Sequence, residues 1–252
     1  MSTKYQPQGR TVLITLDGDG DLNLGSVGPD LHARLAEYRD NPELWCAIVT
    51  GAGDRAFSAG ANLKGDRPGW NTSVWHARAL DVLTGGEFNK PLIAAVNGYC
   101  LGAGMMLALG CDIRIATETA TFGLPELRYG FPPGMGSTWR LTRAIPLGPA
   151  MEMILTGDRI TAAQAHNWGL INKIVPAAEL IPEAMKLAER ITANPPLAVQ
   201  ASKELALRGL EMPLDEHLRL QALMSSITRQ TEDATEGAKA FAEKRKPNFK
   251  GR

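Results

Sequence analysis

The stretch that decides the fold runs from Ala56 to Lys64 and reads AFSAGANLK, and a second stretch, from Asn97 to Gly104, reads NGYCLGAG. Each follows a short apolar run that is typical of a buried strand, and each then breaks into glycine and alanine. Because small side chains leave the backbone bare, two such segments can aim main-chain N–H groups at one oxygen atom. Such an arrangement of N–H groups can stabilise an oxyanion.

The chain around these stretches alternates between strand and helix patterns. Apolar runs predict strands at residues 11–16, 46–50, 92–96, 112–116 and 171–175. A short buried helix is predicted at 104–110, and the sequence after about residue 145 is mostly helical. A capping-box pattern from Thr161 to Gln164 marks the start of one of those helices. Such alternation indicates an α/β fold with mostly parallel strand pairing.

The bulk composition narrows the class of protein. The 252 residues are 44% hydrophobic and carry 27 basic and 27 acidic side chains, so long-range attraction to nucleic acid or to an anionic membrane is not expected. Cys46, Cys100 and Cys111 form neither a disulfide framework nor a metal-ligand spacing, which favours buried thiols in a reducing compartment. The polar segment 1–10 does not look like a secretory signal, so a cytoplasmic location is expected.

Several motifs, in order along the chain, resemble those of the crotonase (enoyl-CoA hydratase/isomerase) superfamily. The matching segments are AFSAGANLK at 56–64, IAAVNGY at 93–99, CDIRIA at 111–116, FGLPE at 122–126, GFPPG at 130–134 and FAEKRKPNF at 241–249. The resemblance implies a crotonase-like spiral of ββα turns over residues 1–195 and a helical C-terminal oligomerisation region over 196–252. It also implies a homotrimer or hexamer that acts on an acyl-CoA thioester without a metal or redox cofactor.

The resemblance also assigns an oxyanion hole. It implies that the backbone N–H groups of Ala61 and Ala103 hold the thioester oxygen as negative charge moves onto it. Ala103 is expected just before the helix at 104–110, whose N-terminal dipole adds partial positive charge. Gly60 and Gly102 are expected to bind the substrate through their backbone, although a role as tight turns alone is the competing interpretation.

One carboxylate is assigned to proton transfer. Glu126 matches the second of the two glutamates in family hydratases, and a glutamate near a dry thioester pocket can have a raised pKa. Gly134 matches a position whose N–H helps to hold water or substrate near that carboxylate. The competing interpretation of Glu126 is a surface or helix-capping residue.

Met106 departs from the family pattern, because hydratases usually carry their first catalytic glutamate there. A thioether cannot exchange protons, so the resemblance leaves three reactions open with Glu126 as the single acid/base group. They are enoyl-CoA hydration, movement of a double bond, and an aryl-enoyl-CoA hydratase-lyase reaction. Trp70, Trp75, Met105 and Met106 are candidates to line the acyl pocket, and core packing is an equal alternative for each.

A second departure affects the predicted CoA contacts. Residues 16–24 read LDGDGDLNL, so three aspartates replace the positive character that relatives have near the pantetheine and phosphates. Asn62, Leu63 and Lys64 complete the predicted substrate-binding segment, with Lys64 either a partner of the CoA phosphates or an ordinary solvated lysine. A non-catalytic acyl-CoA or RNA-binding protein is the alternative function, and the zero net charge disfavours RNA.

Overall fold

The computed structural model describes residues 3–63 and 88–252, where short strands alternate with helices before a helical C-terminal region begins. The strands are β1 (Lys4–Gln8), β2 (Thr11–Leu16), β3 (Cys46–Gly51), β4 (Ala56–Ser58), β5 (Leu92–Val96), β6 (Tyr99–Leu101), β7 (Ile113–Thr117), β8 (Thr121–Gly123), β9 (Ile160–Thr161) and β10 (Lys173–Val175). The helices are α1 (Pro29–Asp40), α2 (Ala103–Gly110), α3 (Ser137–Ala144), α4 (Leu147–Thr156), α5 (Ala162–Asn167), α6 (Leu180–Thr192), α7 (Pro196–Gly209), α8 (Leu214–Arg229) and α9 (Glu232–Ala242).

The larger sheet has six strands in the order β1-β2-β3-β5-β7-β10. β1 and β2 form an antiparallel hairpin, and the other neighbours pair in parallel. Every residue of β3 and β5 is buried, as expected for parallel strands that are covered on both faces. All five predicted strands are therefore confirmed, with ends that differ by two residues or fewer. The predicted helix 104–110 begins one residue earlier, so Ala103 is its first residue and does not precede it.

A second sheet of four strands, β4-β6-β8-β9, was not predicted as such. Its strands are only two or three residues long, too short to show a periodic pattern. β4, β6 and β8 are parallel neighbours, so their carboxyl ends lie at one edge. That edge receives the two glycine–alanine stretches and the segment that carries Glu126.

Two hydrophobic cores flank the larger sheet. One contains Ile48, Ile93 and Leu180, and it holds α6 against the sheet. The other is larger and includes residues of α1 and α2, with Leu31 and Leu107 almost fully buried. The capping box at the start of α5 is confirmed, because the Thr161 hydroxyl and the Gln164 side chain each accept the other residue's backbone N–H.

The predicted burial of the three cysteines is also confirmed. Burial raises the pKa of Cys46 and of Cys111 to about 12. A protonated thiol is a poor nucleophile, so the thiols of these two cysteines stay unreactive at neutral pH.

Polar contacts join α7 to the core and fix the end of the chain. The Lys203 ammonium of α7 donates to the Asp112 carboxylate at 2.9 Å and to the Lys90 carbonyl at 2.9 Å. The buried Asp233 of α9 accepts the N–H groups of Lys250 and Gly251 at 2.6 and 2.8 Å, which fixes the end of the chain. Within the two described ranges, no helix has the length and apolar character to cross a bilayer.

Candidate active site

Three loops leave the carboxyl edge of the smaller sheet and build the candidate site. β4 leads to Gly60 and Ala61, β6 leads to Gly102 and the start of α2, and β8 leads to a 3-10 helix, Pro125–Tyr129. Because neighbouring parallel strands end at the same edge, segments far apart in sequence become neighbours here. The structure therefore brings together the predicted oxyanion loops and the predicted acid/base residue.

The backbones of Gly60 and Gly102 lie against each other. A methyl group added to Gly60 would sit 3.4 Å from the Ala103 nitrogen, and one added to Gly102 would sit 3.7 Å from the Gly60 Cα. Both glycines have positive φ angles, +100° and +54°, in regions that L-residues with a side chain rarely adopt. Glycine is therefore required at both positions for backbone geometry and for close approach.

The two proposed donor groups are the backbone N–H groups of Ala61 and Ala103. Ala103 is the first residue of α2, and the first N–H groups of a helix have no partner within it. Within residues 3–63 and 88–252, no group accepts a hydrogen bond from the N–H of Ala61 or of Ala103. The positive end of the α2 dipole adds to the attraction for an anion at this point.

Glu126 is buried beside this pair of segments. Its side chain is 6% exposed, and its Oε1 would be 2.9 Å from a methyl group on Gly102. Its Oε2 is buried and has no hydrogen-bond partner in the described part of the chain. Burial raises the pKa of the Glu126 carboxyl above its ordinary range, and a hydrogen bond that the carboxylate accepts from its own backbone N–H offsets this only in part. A buried carboxyl with one unpartnered oxygen is suited to exchanging protons with a ligand.

The other residues predicted near the reacting atoms have simpler surroundings. Met106 is 8% exposed and Met105 is 1% exposed, and both belong to the larger core. Their side chains hold no proton to exchange. Gly134 precedes α3, and its carbonyl accepts the N–H and the hydroxyl of Ser137 at 3.0 and 2.7 Å. These contacts fix the Gly134 loop, while its role toward substrate stays a prediction.

The segment predicted to bind CoA has local partners. The Asn62 side-chain amide donates to Asp19 at 2.9 Å, and Leu63 is 39% exposed. The other two aspartates of the 16–24 stretch form exposed ion pairs, Asp17 with Lys4 and Asp21 with Arg55. Lys64, Trp70 and Trp75 lie outside the described residues.

A buried polar cluster lies next to Gly60 and was not predicted from the sequence. Asn23, Ser26 and Ser58 are each at most 6% exposed and are joined by hydrogen bonds. The sequence feature that could have indicated this cluster is Asn23 and Ser26 at the end of a turn, because asparagine and serine side chains commonly form hydrogen bonds with nearby backbone groups.

Comparison with known proteins places the chain in a family. The family model for enoyl-CoA hydratase/isomerase matches residues 25–252, which is most of the chain. The chain therefore belongs to the enoyl-CoA hydratase/isomerase family, a group of enzymes that act on CoA thioesters.

Individual relatives support the same assignment. The chain is 36% identical to (E)-benzylidenesuccinyl-CoA hydratase of Thauera aromatica, with all of both chains covered. It is 40% identical to carnitinyl-CoA dehydratase of Salmonella enteritidis, over 85% of each chain. Among solved structures, an enoyl-CoA hydratase from Bacillus anthracis matches with a TM-score of 0.89 and 35% identity over the full length of both chains. The similarity to this solved structure also confirms the predicted crotonase fold.

Proposed function

We propose that this protein hydrates an enoyl-CoA thioester, or moves its double bond, with Glu126 as the single acid/base group. The observation that carries the proposal is the buried Glu126 carboxylate, which faces Gly102 at the N-terminus of α2. A thioester carbonyl bound by the N–H groups of Ala61 and Ala103 would have its α and β carbons beside this carboxylate.

The proposed chemistry depends on charge that develops on the thioester oxygen. Addition at the β carbon, or loss of a proton from the chain, pushes electrons onto that oxygen and forms an enolate. Two backbone N–H groups and a helix dipole stabilise the enolate more than the neutral thioester, and one such donor is worth about 3–4 kcal/mol in a comparable site. The reaction needs proton transfer and oxyanion stabilisation only, so the proposal includes no metal or redox cofactor.

A single glutamate is sufficient for either reaction. In hydration, the Glu126 carboxylate takes a proton from water as oxygen attacks the β carbon, and the carboxylic acid then returns that proton to the α carbon. In isomerisation, the same carboxylate moves a proton between the α and γ carbons. The raised pKa of Glu126 brings it closer to neutrality, where a group exchanges protons most effectively in both directions.

An aryl-substituted enoyl-CoA is the second candidate substrate, for hydration or for the hydratase-lyase reaction. The relative from Thauera aromatica is named for a benzylidene thioester, and it aligns over the whole of both chains. This similarity favours a bulky acyl group. The experiment should therefore include an aryl substrate from the start.

The test measures turnover of crotonyl-CoA, a 3-enoyl-CoA and cinnamoyl-CoA by the wild-type protein and by Glu126→Gln. We expect activity on at least one substrate and a fall in kcat of about 10²-fold or more in the variant, the usual contribution of a general acid/base. Glu118→Gln, at an exposed turn position, is the matched control and should keep full activity. Full activity of Glu126→Gln on every substrate used would refute the assignment. Tight acyl-CoA binding without turnover by the wild type would support the non-catalytic alternative.

We also propose that the protein works as a cytoplasmic homotrimer or hexamer assembled through residues 196–252. The support is that α8 buries none of its residues within this chain, although Leu214, Leu218 and Ile227 lie along it. Analytical ultracentrifugation of the full chain distinguishes these states from a monomer.

A further inference from the structure

The Gly60–Ala61 peptide is held through its carbonyl group. The Gly60 carbonyl accepts the Gly25 N–H at 2.8 Å. A trans peptide is planar, so its C=O and N–H point in opposite directions, and fixing one fixes the other. The hydrogen bond from Gly25 therefore sets the direction of the Ala61 N–H, the donor proposed to bind the thioester oxygen.

The residues before Gly60 are tied down as well. The Ala59 N–H donates to the Leu22 carbonyl at 2.9 Å, and the Gly60 N–H donates to the Ser58 hydroxyl at 3.3 Å. The loop thus gains its geometry from the 22–25 turn on one side and from a serine side chain on the other. Gly60 has a φ of +100°, and such a conformation persists where its surroundings hold it.

The 22–25 turn is itself fixed by buried side chains. The Asn23 amide donates to the carbonyls of Ala52 and Ala56 at 3.0 and 2.8 Å. The main-chain carbonyl oxygen of Asn23 lies within hydrogen-bond distance of two hydroxyl groups, those of Ser26 at 2.7 Å and of Ser58 at 3.1 Å. These two hydroxyls are 3.1 Å apart. A hydroxyl has one donor and two acceptor sites, so Ser58 can donate to Asn23 and still accept from Gly60.

The second proposed donor is held in a different way. The Gly102 carbonyl, which shares a peptide with the Ala103 N–H, accepts the Met106 N–H at 2.9 Å within α2. A helix fixes that peptide without help from any side chain. The Gly60–Ala61 peptide, in contrast, lies in a loop whose geometry depends on polar side chains.

We propose that Asn23, Ser26 and Ser58 are positioning residues that aim the Ala61 N–H at the developing oxyanion. The inference rests on the proposed function and deepens it. Because an aimed donor matters more once charge has moved onto the oxygen, loss of either hydroxyl weakens binding of the enolate more than binding of the neutral thioester.

The experiment compares two ligands on Ser58→Ala and Ser26→Ala. Acetoacetyl-CoA ionises to an enolate with charge on the thioester oxygen, while butanoyl-CoA is saturated and stays neutral. Calorimetry should show that Ser58→Ala binds acetoacetyl-CoA about tenfold more weakly, less than the loss from deleting a donor, with butanoyl-CoA changed by less than about twofold. Under the same conditions, kcat on the best enoyl-CoA should fall by a similar factor while KM stays nearly constant. Ser26→Ala should show the same pattern to a smaller degree.

The matched control is Ser202→Ala on the exposed face of α7, whose hydroxyl donates to the Ala198 carbonyl, and it should match the wild type. Equal weakening of both ligands by the serine variants would indicate a general structural role and overturn the inference, as would an unchanged kcat in either folded variant. If Ser58→Ala does not fold, Ser26→Ala decides, since it removes fewer contacts. A wild-type protein that binds neither thioester would contradict the proposed function itself, whereas normal wild-type turnover with unaffected serine variants contradicts only this inference.

Discussion

Replacement of Gly102 by alanine should damage both stability and catalysis, for two separable reasons. The φ and ψ angles of Gly102 are +54° and −123°, and holding a residue with a side chain in such a region costs about 1–3 kcal/mol. For a chain of this size that cost lowers Tm by about 2–12 °C. Thermal unfolding of Gly102→Ala measures this first effect.

The second effect of Gly102→Ala acts on Glu126. The new methyl group would lie 2.9 Å from Oε1, and ordinary contact begins at 3.4 Å, so the carboxylate must shift by about 0.5 Å. A displacement of 1 Å can cost about 10²-fold in rate, so we expect kcat on an enoyl-CoA to fall by about tenfold.

Substitutions at two other glycines serve as controls that separate the effect of backbone strain from the effect of the contact with Glu126. Gly9 has a φ of +61° with open space around it, so Gly9→Ala should lower stability and leave kcat unchanged. Gly148 lies in α4 with open space and no positive φ, so Gly148→Ala should be neutral or stabilising by up to about 1 kcal/mol. If Gly102→Ala retained wild-type kcat while losing stability, the proposed closeness of Glu126 to the reacting atoms would be wrong.

Two further predictions concern charged groups. Because burial raises the folded-state pKa of Glu126, the folded protein binds more protons than the unfolded chain over the interval above the ordinary glutamate pKa, and this group's contribution to stability falls as pH rises there. Glu126→Gln should therefore gain Tm over the wild type at pH 8 and lose that advantage near pH 4; a pH-independent difference would contradict the raised pKa. Lys203→Met should cost about 1.5–3 kcal/mol in urea unfolding, because it leaves the half-buried Asp112 carboxylate without its cation. Lys173→Met removes an exposed ammonium group whose partner, Glu183, keeps a second cation in Lys186, so it should cost less than about 1 kcal/mol, and equal losses in the two variants would refute this argument.

The sequence predicted five of the six strands of the larger sheet, four of them apolar runs of five or six residues, and it missed β1, whose residues are mostly polar and exposed. A run such as residues 92–96 is buried on both faces and leaves little choice of structure. The smaller sheet escaped prediction because strands of three residues, such as Ala56–Ser58, have no readable period. Its existence follows from pairing between segments far apart in the chain, which no local pattern reports.

The candidate site could also be predicted only in part from the sequence. Gly60, Gly102 and Glu126 could be proposed from motifs, and the structure adds that the three lie at one sheet edge. The proposed role of Ser58 could not be predicted, because its partners come from residues 23–26, more than thirty positions earlier. A hydroxyl that supports a loop has no sequence signature until the two segments are known to meet.

The structure also explains how the family site tolerates methionine at position 106. The residue there supports the proposed oxyanion hole through its backbone N–H, which donates to the Gly102 carbonyl, and this bond does not depend on the side chain. A carboxylate at 106 can therefore be replaced by a thioether without moving the Ala103 donor. In the proposed function, the replacement removes one proton carrier and leaves the electrostatic part of the site intact, so the proposed reaction passes its proton through Glu126.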